Sequence, residues 1–127
     1  AIWGLAFKPN TDDLREAPSL VLIDALCEAG AKVRVFDPVA MPGARRLLAH
    51  VNGLVFAEDA QAALEGADAL AIVTEWQEFR SPDFDHLKRA MKQPAIFDGR
   101  NLYSPELMRR LGFSYYAVGR GLSGIAA

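Results

Sequence analysis

The feature that most constrains this chain is an alternation. Short apolar runs, too brief for helices, are separated by longer stretches whose apolar residues recur at helical spacing, with Gly, Pro or Asp at the joins. When a helix intervenes between successive strands, the chain returns to the same end of the sheet and the strands lie parallel. Strands are expected at 1–7, 32–36, 54–57, 69–73, 95–97 and 115–118, and helices at 18–29, 40–51, 60–64, 84–91 and 105–111. Pro18 suits a first helical turn and Gly30 a C-terminal cap. Within the first helix Leu22, Ala25, Leu26 and Ala29 are expected to face the sheet, and Asp24 and Glu28 the water. With 127 residues, 51% of them hydrophobic, the chain can build one compact core. The expected fold is a three-layer α/β domain with a mainly parallel sheet of five to six strands.

Charge and composition narrow the partners. A formal net charge of -2 offers no broad basic field for nucleic acid or an anionic membrane, so an anion must be gripped by a few placed cations. Apolar stretches fall far short of the roughly 20 residues that span a bilayer, and no basic region opens a signal peptide, so a cytoplasmic protein is expected. Cys27 is the only cysteine, which excludes an internal disulfide and a cysteine-built zinc site. The chain opens on Ala1-Ile2-Trp3-Gly4, within an apolar run and without Met, and reads as a piece of a longer protein. Residues 120–127, rich in glycine and without periodicity, read as a mobile tail.

In open parallel sheets ligands bind beyond the carboxyl ends of the strands. The first strand leads there into a polar loop, 7–16, long and charged enough to suggest function. The fourth ends at Thr74-Glu75-Trp76 and the fifth at Asp98-Gly99-Arg100-Asn101. Lys8 and Arg100 could hold a diphosphate through charge-assisted hydrogen bonds, and Phe7 offers a face on which a base can stack. Either cation alone reads equally well as a solvated surface charge. Gly99 allows a close approach to ligand or a positive φ.

Other residues read more plainly. Gly4-Leu5-Ala6-Phe7-Lys8 lacks the G-x-G-x-x-G of a dinucleotide site, so the fold is expected to be Rossmann-like without a self-contained NAD or ATP site. Asp37 stands where such folds place a ribose-binding acid, but before Pro38 it reads equally as a turn residue. Asp12, Asp13 and Glu16 lie around Arg15 at a helix start, which disfavours a metal site. His50 and His86 read as surface residues, Cys27 as a small hydrophobe at the margin of the first helix, and Trp3 and Trp76 as packing residues, Trp76 beside the cleft.

The run from Gly4-Leu5-Ala6-Phe7-Lys8-Pro9-Asn10-Thr11-Asp12-Asp13-Leu14-Arg15-Glu16 to Ala17-Pro18-Ser19, with Val35-Phe36-Asp37-Pro38, Thr74-Glu75-Trp76 and Asp98-Gly99-Arg100-Asn101, resembles a known family. It is similar, over residues 1–119, to the C-terminal UDP-binding domain of the UDP-glucose 6-dehydrogenases, in the UDP-glucose/GDP-mannose dehydrogenase family. The resemblance implies a parent enzyme with an N-terminal NAD-binding domain and a central helical dimerisation domain, a homodimer or higher oligomer. That enzyme oxidises UDP-glucose to UDP-glucuronate in two hydride transfers to NAD. The family's catalytic Cys lies in the central segment and Cys27 does not match it, so no catalytic residue and no metal ligand is carried over. Phe7, Lys8 and Arg100 match substrate contacts of the family, and Arg15 matches an arginine that reaches the NAD. No family role attaches to Asp37, Thr74 or Glu75. Two alternatives stand beside this reading: a sister dehydrogenase acting on GDP-mannose or UDP-N-acetylmannosamine, and a non-catalytic nucleotide-sensing module.

Overall fold

A computed structural model describes residues 1–118; residue 119 and the expected tail, 120–127, lie outside the described residues. Six strands, β1 (Ile2–Trp3), β2 (Val33–Phe36), β3 (Leu54–Phe56), β4 (Leu70–Ile72), β5 (Ala95–Asp98) and β6 (Ser114–Ala117), form one sheet in the order β3-β2-β1-β4-β5-β6. Every neighbouring pair is parallel, so the expected mainly parallel sheet is wholly so. Five helices connect them: α1 (Pro18–Glu28), α2 (Met41–Leu47), α3 (Ala60–Leu64), α4 (Phe84–Ala90) and α5 (Pro105–Leu111). The chain winds outward from β1 in both directions. Right-handed crossovers therefore put α1 and α2 on one face and α3, α4 and α5 on the other.

Local chemistry sets the helix ends. Asp59, Asp83 and Ser104 cap α3, α4 and α5 by accepting the backbone N–H of Ala62, His86 and Leu107. Pro18 opens α1, whose N-cap, Ala17, offers no side chain. The buried arc of α1 is centred on Ser19, Ile23 and Leu26, while Ala25 and Ala29 are exposed, which corrects the expected orientation. The cause is polar: the Ser19 hydroxyl donates to the carbonyl of Leu5 at 2.6 Å and fixes the rotation of the helix. A count of apolar residues passes over a serine. Cys27 sits at the margin of that arc, half-buried, its thiol pushed up by burial and then by Asp24.

Most elements lie within a residue or two of the expected bounds, but two are much shorter and one was not foreseen. α2 stops at Leu47, where a turn closed by the Val51 N–H on the Leu48 carbonyl takes over. β1 stops at Trp3, because Gly4 has φ +98 and faces Thr74, whose Cβ lies 2.5 Å from where a glycine-replacing Cβ would sit. Only glycine tolerates both conditions. Leu5 and Ala6 are therefore buried loop, not strand. The additional element is a 3₁₀ turn, Gln77–Phe79, whose Phe79 ring stacks on Trp3 at 4.9 Å between centroids.

Candidate functional site

The winding direction reverses between β1 and β4, and the loops that leave the carboxyl ends of these strands diverge there. The Phe7–Arg15 loop follows β1, Asp37 ends β2, Thr74-Glu75-Trp76 follows β4, and Asp98-Gly99-Arg100 closes β5. These polar segments share one sheet edge, as the strand directions require.

Asp37 ties three of them together. Its carboxylate is buried and, among the described residues, accepts five N–H donors. Leu5 and Ala6 from the β1 loop donate to Oδ2 at 2.8 and 2.9 Å, and Val39 and Ala40 to Oδ1 at 2.9 and 2.8 Å. The Trp76 indole, arriving from the β4 loop, completes the set on Oδ2 at 3.0 Å. Asp37 is thus a turn residue, as one reading had it, and a buried junction as well. Trp76 is buried, with its N–H spent on Asp37, and does not stand open beside a cleft. Thr74, also buried, donates from Oγ1 to the Ala6 carbonyl at 2.7 Å, a second tie between the β4 and β1 loops.

This arrangement gives a physical reason for the missing glycine motif. In a dinucleotide site the first-turn N–H groups face a pyrophosphate. Here Leu5 and Ala6 give theirs to a carboxylate of the protein itself. The segment has no free cradle of that kind at β1.

Asp98 repeats the device at the end of β5. Buried, it accepts the N–H of Arg100 on Oδ1 at 2.9 Å, and on Oδ2 the N–H of Leu102 at 2.6 Å and the Tyr115 hydroxyl at 2.6 Å. Gly99 has ordinary backbone angles. Its need for glycine comes from the Ile72 carbonyl, 3.0 Å from where a Cβ would sit, rather than from a positive φ. Arg100 leaves this loop half-buried, with Nε donating to the Val73 carbonyl at 2.8 Å and lying 3.9 Å from Glu75 Oε1. Its two Nη groups have no hydrogen-bond partner among the described residues. The guanidinium is anchored at its base, with its fork left available.

The β1 loop is closed on itself by the Phe7 N–H, which donates to the Asp13 carbonyl at 2.7 Å. The Phe7 ring is 46% exposed and Lys8 is exposed without an ion pair among the described residues. Arg15 forks onto Asp13 through Nε at 3.0 Å and Nη2 at 2.8 Å. That fork, the Arg15 backbone N–H and, more weakly, Lys8 hold the Asp13 carboxyl down at about 2. No three acidic, His or Cys side chains converge as a metal site among the described residues. His50 is exposed, whereas His86 is half-buried, and its Nε2 has no partner beside a cavity of about 270 Å³ between α3 and α4. The residues that sequence reasoning passed over are Ser19, Tyr103 and Tyr115. The signal that could have found the two junctions is an acid at the last position of a strand followed by Pro or Gly, seen at Asp37-Pro38 and again at Asp98-Gly99.

The strand order and the charged loops at the switch point define a Rossmann-like α/β domain. Residues 1–105 match the model of the UDP-glucose/GDP-mannose dehydrogenase family, UDP binding domain, and the chain belongs to that family. It is 51% identical across 98% of its length to a UDP-glucose 6-dehydrogenase of Pseudomonas aeruginosa and 48% identical across 94% to one of Rhizobium meliloti. It covers only 28% and 27% of those two enzymes. Among solved structures it superposes on an NDP-N-acetyl-D-galactosaminuronic acid dehydrogenase of Methanosarcina mazei with a TM-score of 0.80 and 29% identity, covering 98% of this chain and 25% of that one. A UDP-glucose dehydrogenase of Pyrobaculum islandicum gives a TM-score of 0.72 at 34% identity, over 91% of this chain and 24% of that one. No helix among the described residues is long and apolar enough to cross a membrane.

The Asp37 junction yields a graded expectation. Asp37→Asn turns an acceptor into a donor facing other donors and should lower the unfolding free energy by roughly 3 kcal/mol or more. Trp76→Phe removes one donor of the set and should cost about 1–3 kcal/mol. Urea titration followed by far-ultraviolet circular dichroism measures both, and a smaller loss for Asp37→Asn than for Trp76→Phe would contradict the junction.

Proposed function

We propose that this domain is the UDP-sugar-binding part of an NAD-dependent dehydrogenase that oxidises the C6 alcohol of UDP-glucose to the carboxylate of UDP-glucuronate in two hydride transfers. The observation that carries the reading is the state of Arg100, anchored through Nε to Val73, with a fork that has no partner among the described residues. It stands on the sheet edge that also carries an exposed Lys8, without an ion pair among the described residues, and an exposed Phe7 ring. An anchored guanidinium binds a diphosphate at little loss of its own freedom, because its rotamer is already restricted. Lys8 adds a second cation, and Phe7 a face for the uracil ring. The close relatives named above, UDP-glucose 6-dehydrogenases, support UDP-glucose as the substrate.

NAD does not fit this domain as its principal site, since the first-turn N–H groups are given to Asp37. On this reading the N-terminal domain of the parent holds the cofactor, and Arg15 reaches towards it from the β1 loop. Its fork to Asp13 is solvent-exposed, and exposed ion pairs exchange partners at little cost. The nucleophile also belongs to the rest of the parent, because Cys27 lies on α1, packed at the margin of the core with its thiol pushed up.

In the full-length enzyme Arg100→Ala should raise the KM for UDP-glucose roughly ten- to hundredfold with a far smaller change in kcat, as expected for loss of a charged hydrogen bond used in binding. An unchanged KM would remove Arg100 from the site. The 127-residue segment alone should not reduce NAD with UDP-glucose. Comparing UDP-glucose, GDP-mannose and UDP-N-acetylmannosamine as substrates of the full chain separates this reading from a sister specificity.

A further inference from the structure

One register row crosses the sheet through Val35, Ile2, Ala71, Phe97 and Tyr116. Residues in such a row project to the same face. Under α1 and α2 the row is sealed, with Val35 at 0% and Ile2 at 1% exposure. Two strands beyond β1 the same row is open: Phe97 is 46% exposed, and Val118, just past the end of β6 on the same face, is 63% exposed. The Phe97 ring lies flat on Tyr116, 4.5 Å between centroids at 7°, and forms a shelf. Leu22 of α1 makes one wall of a shallow trough of about 340 Å³, almost free of polar atoms, over β4, β5 and β6. Both helices on this face wind towards the β3 edge, so among the described residues nothing covers this half.

Parallel sheets are ordinarily covered by helices on both faces. We propose that this half-face is the docking surface for a helix of the same polypeptide, contributed by the part of the parent that lies outside residues 1–127. The proposal rests on the reading of this chain as one domain of a longer dehydrogenase. Two observations select this occupant. The trough is lined by ten residues, short of the roughly 20–30 residues a side that hold independent partners together. A helix tethered in the same chain needs much less area, because the link raises its effective concentration. Chain is also at hand, since this segment accounts for only 28% and 27% of two relatives, and the remainder can supply such a helix. A helix satisfies its own backbone, whereas an extended segment laid on this dry face would leave N–H groups unpaired.

The test uses the full-length protein. A photo-crosslinking p-benzoylphenylalanine replaces Phe97 in one variant and Tyr116 in another, and crosslinked peptides are identified by mass spectrometry. The expected product keeps the mass of a single chain on a denaturing gel and joins position 97 or 116 to a helix outside 1–127. Crosslinks at dimer mass would overturn the proposal in favour of a second copy. Crosslinks confined to residues 119–127 would overturn it in favour of the chain's own end, and an absence of crosslinks would show a face left open to water. Val118→Asp gives an independent readout. It should speed hydrogen exchange in the docked helix severalfold, and unchanged exchange outside 1–127 would overturn the proposal. Neither measurement depends on UDP or NAD, so its outcome is separate from that of the Arg100 test.

Discussion

Three of the loops at the carboxyl edge of this sheet depend on one carboxylate buried just after β2. Taking a carboxylate out of water is expensive, and Asp37 is tolerated there because five N–H groups replace the lost hydration. Those donors come from the loops after β1, β2 and β4, so a single side chain sets the relative positions of three otherwise independent connections. The β1 loop, which carries Phe7, Lys8 and Arg15, leaves the core in a defined direction because its first two N–H groups are fixed there. Asp98 does the same for the loop that carries Arg100.

The same economy explains how a Rossmann-like sheet can be present without the free first-turn N–H groups that a dinucleotide site uses. The fold turns free N–H groups towards the switch point, and an anion must satisfy them. In a dinucleotide-binding domain the anion is a pyrophosphate. Here it is an aspartate of the protein, with Trp76 laid against it. The side chains on the rim, chiefly the guanidinium of Arg100 anchored through Nε to Val73, are then the groups left to meet a ligand in the proposed reading. That shift is in keeping with the UDP-sugar-binding role proposed above.

Legibility from sequence follows the range of the forces involved. The strand and helix alternation is a local matter of hydrophobic spacing and capping. The parallel class was therefore readable, as were the bounds of α3 and α5 and the approximate places of all six strands. The D-G-R turn and the loop after β1 were readable as polar segments on the carboxyl edge of the sheet, because polar residues crowd the end of each strand. The rotation of α1 was not, because it is fixed by the contact of Ser19 with Leu5, fourteen residues away in sequence. The early end of β1 at Gly4 was hidden for a similar reason, since its cause is Thr74 on another strand.

What the sequence by itself determined is the order of elements, the family and the residue types offered at the sheet edge, all of which follow from neighbours a few positions apart. Only the tertiary structure decided what those residues do. Asp37 is spent on the backbone of the β1 loop and on Trp76 rather than on a ribose. Arg100 is clamped at one nitrogen and, among the described residues, open at the others. Half of a dry sheet face has no helix over it among the described residues. Each of these depends on which strands become neighbours, and strand order places groups tens of residues apart within hydrogen-bond distance, where burial makes an unpaired N–H or carboxylate too costly to leave unmet.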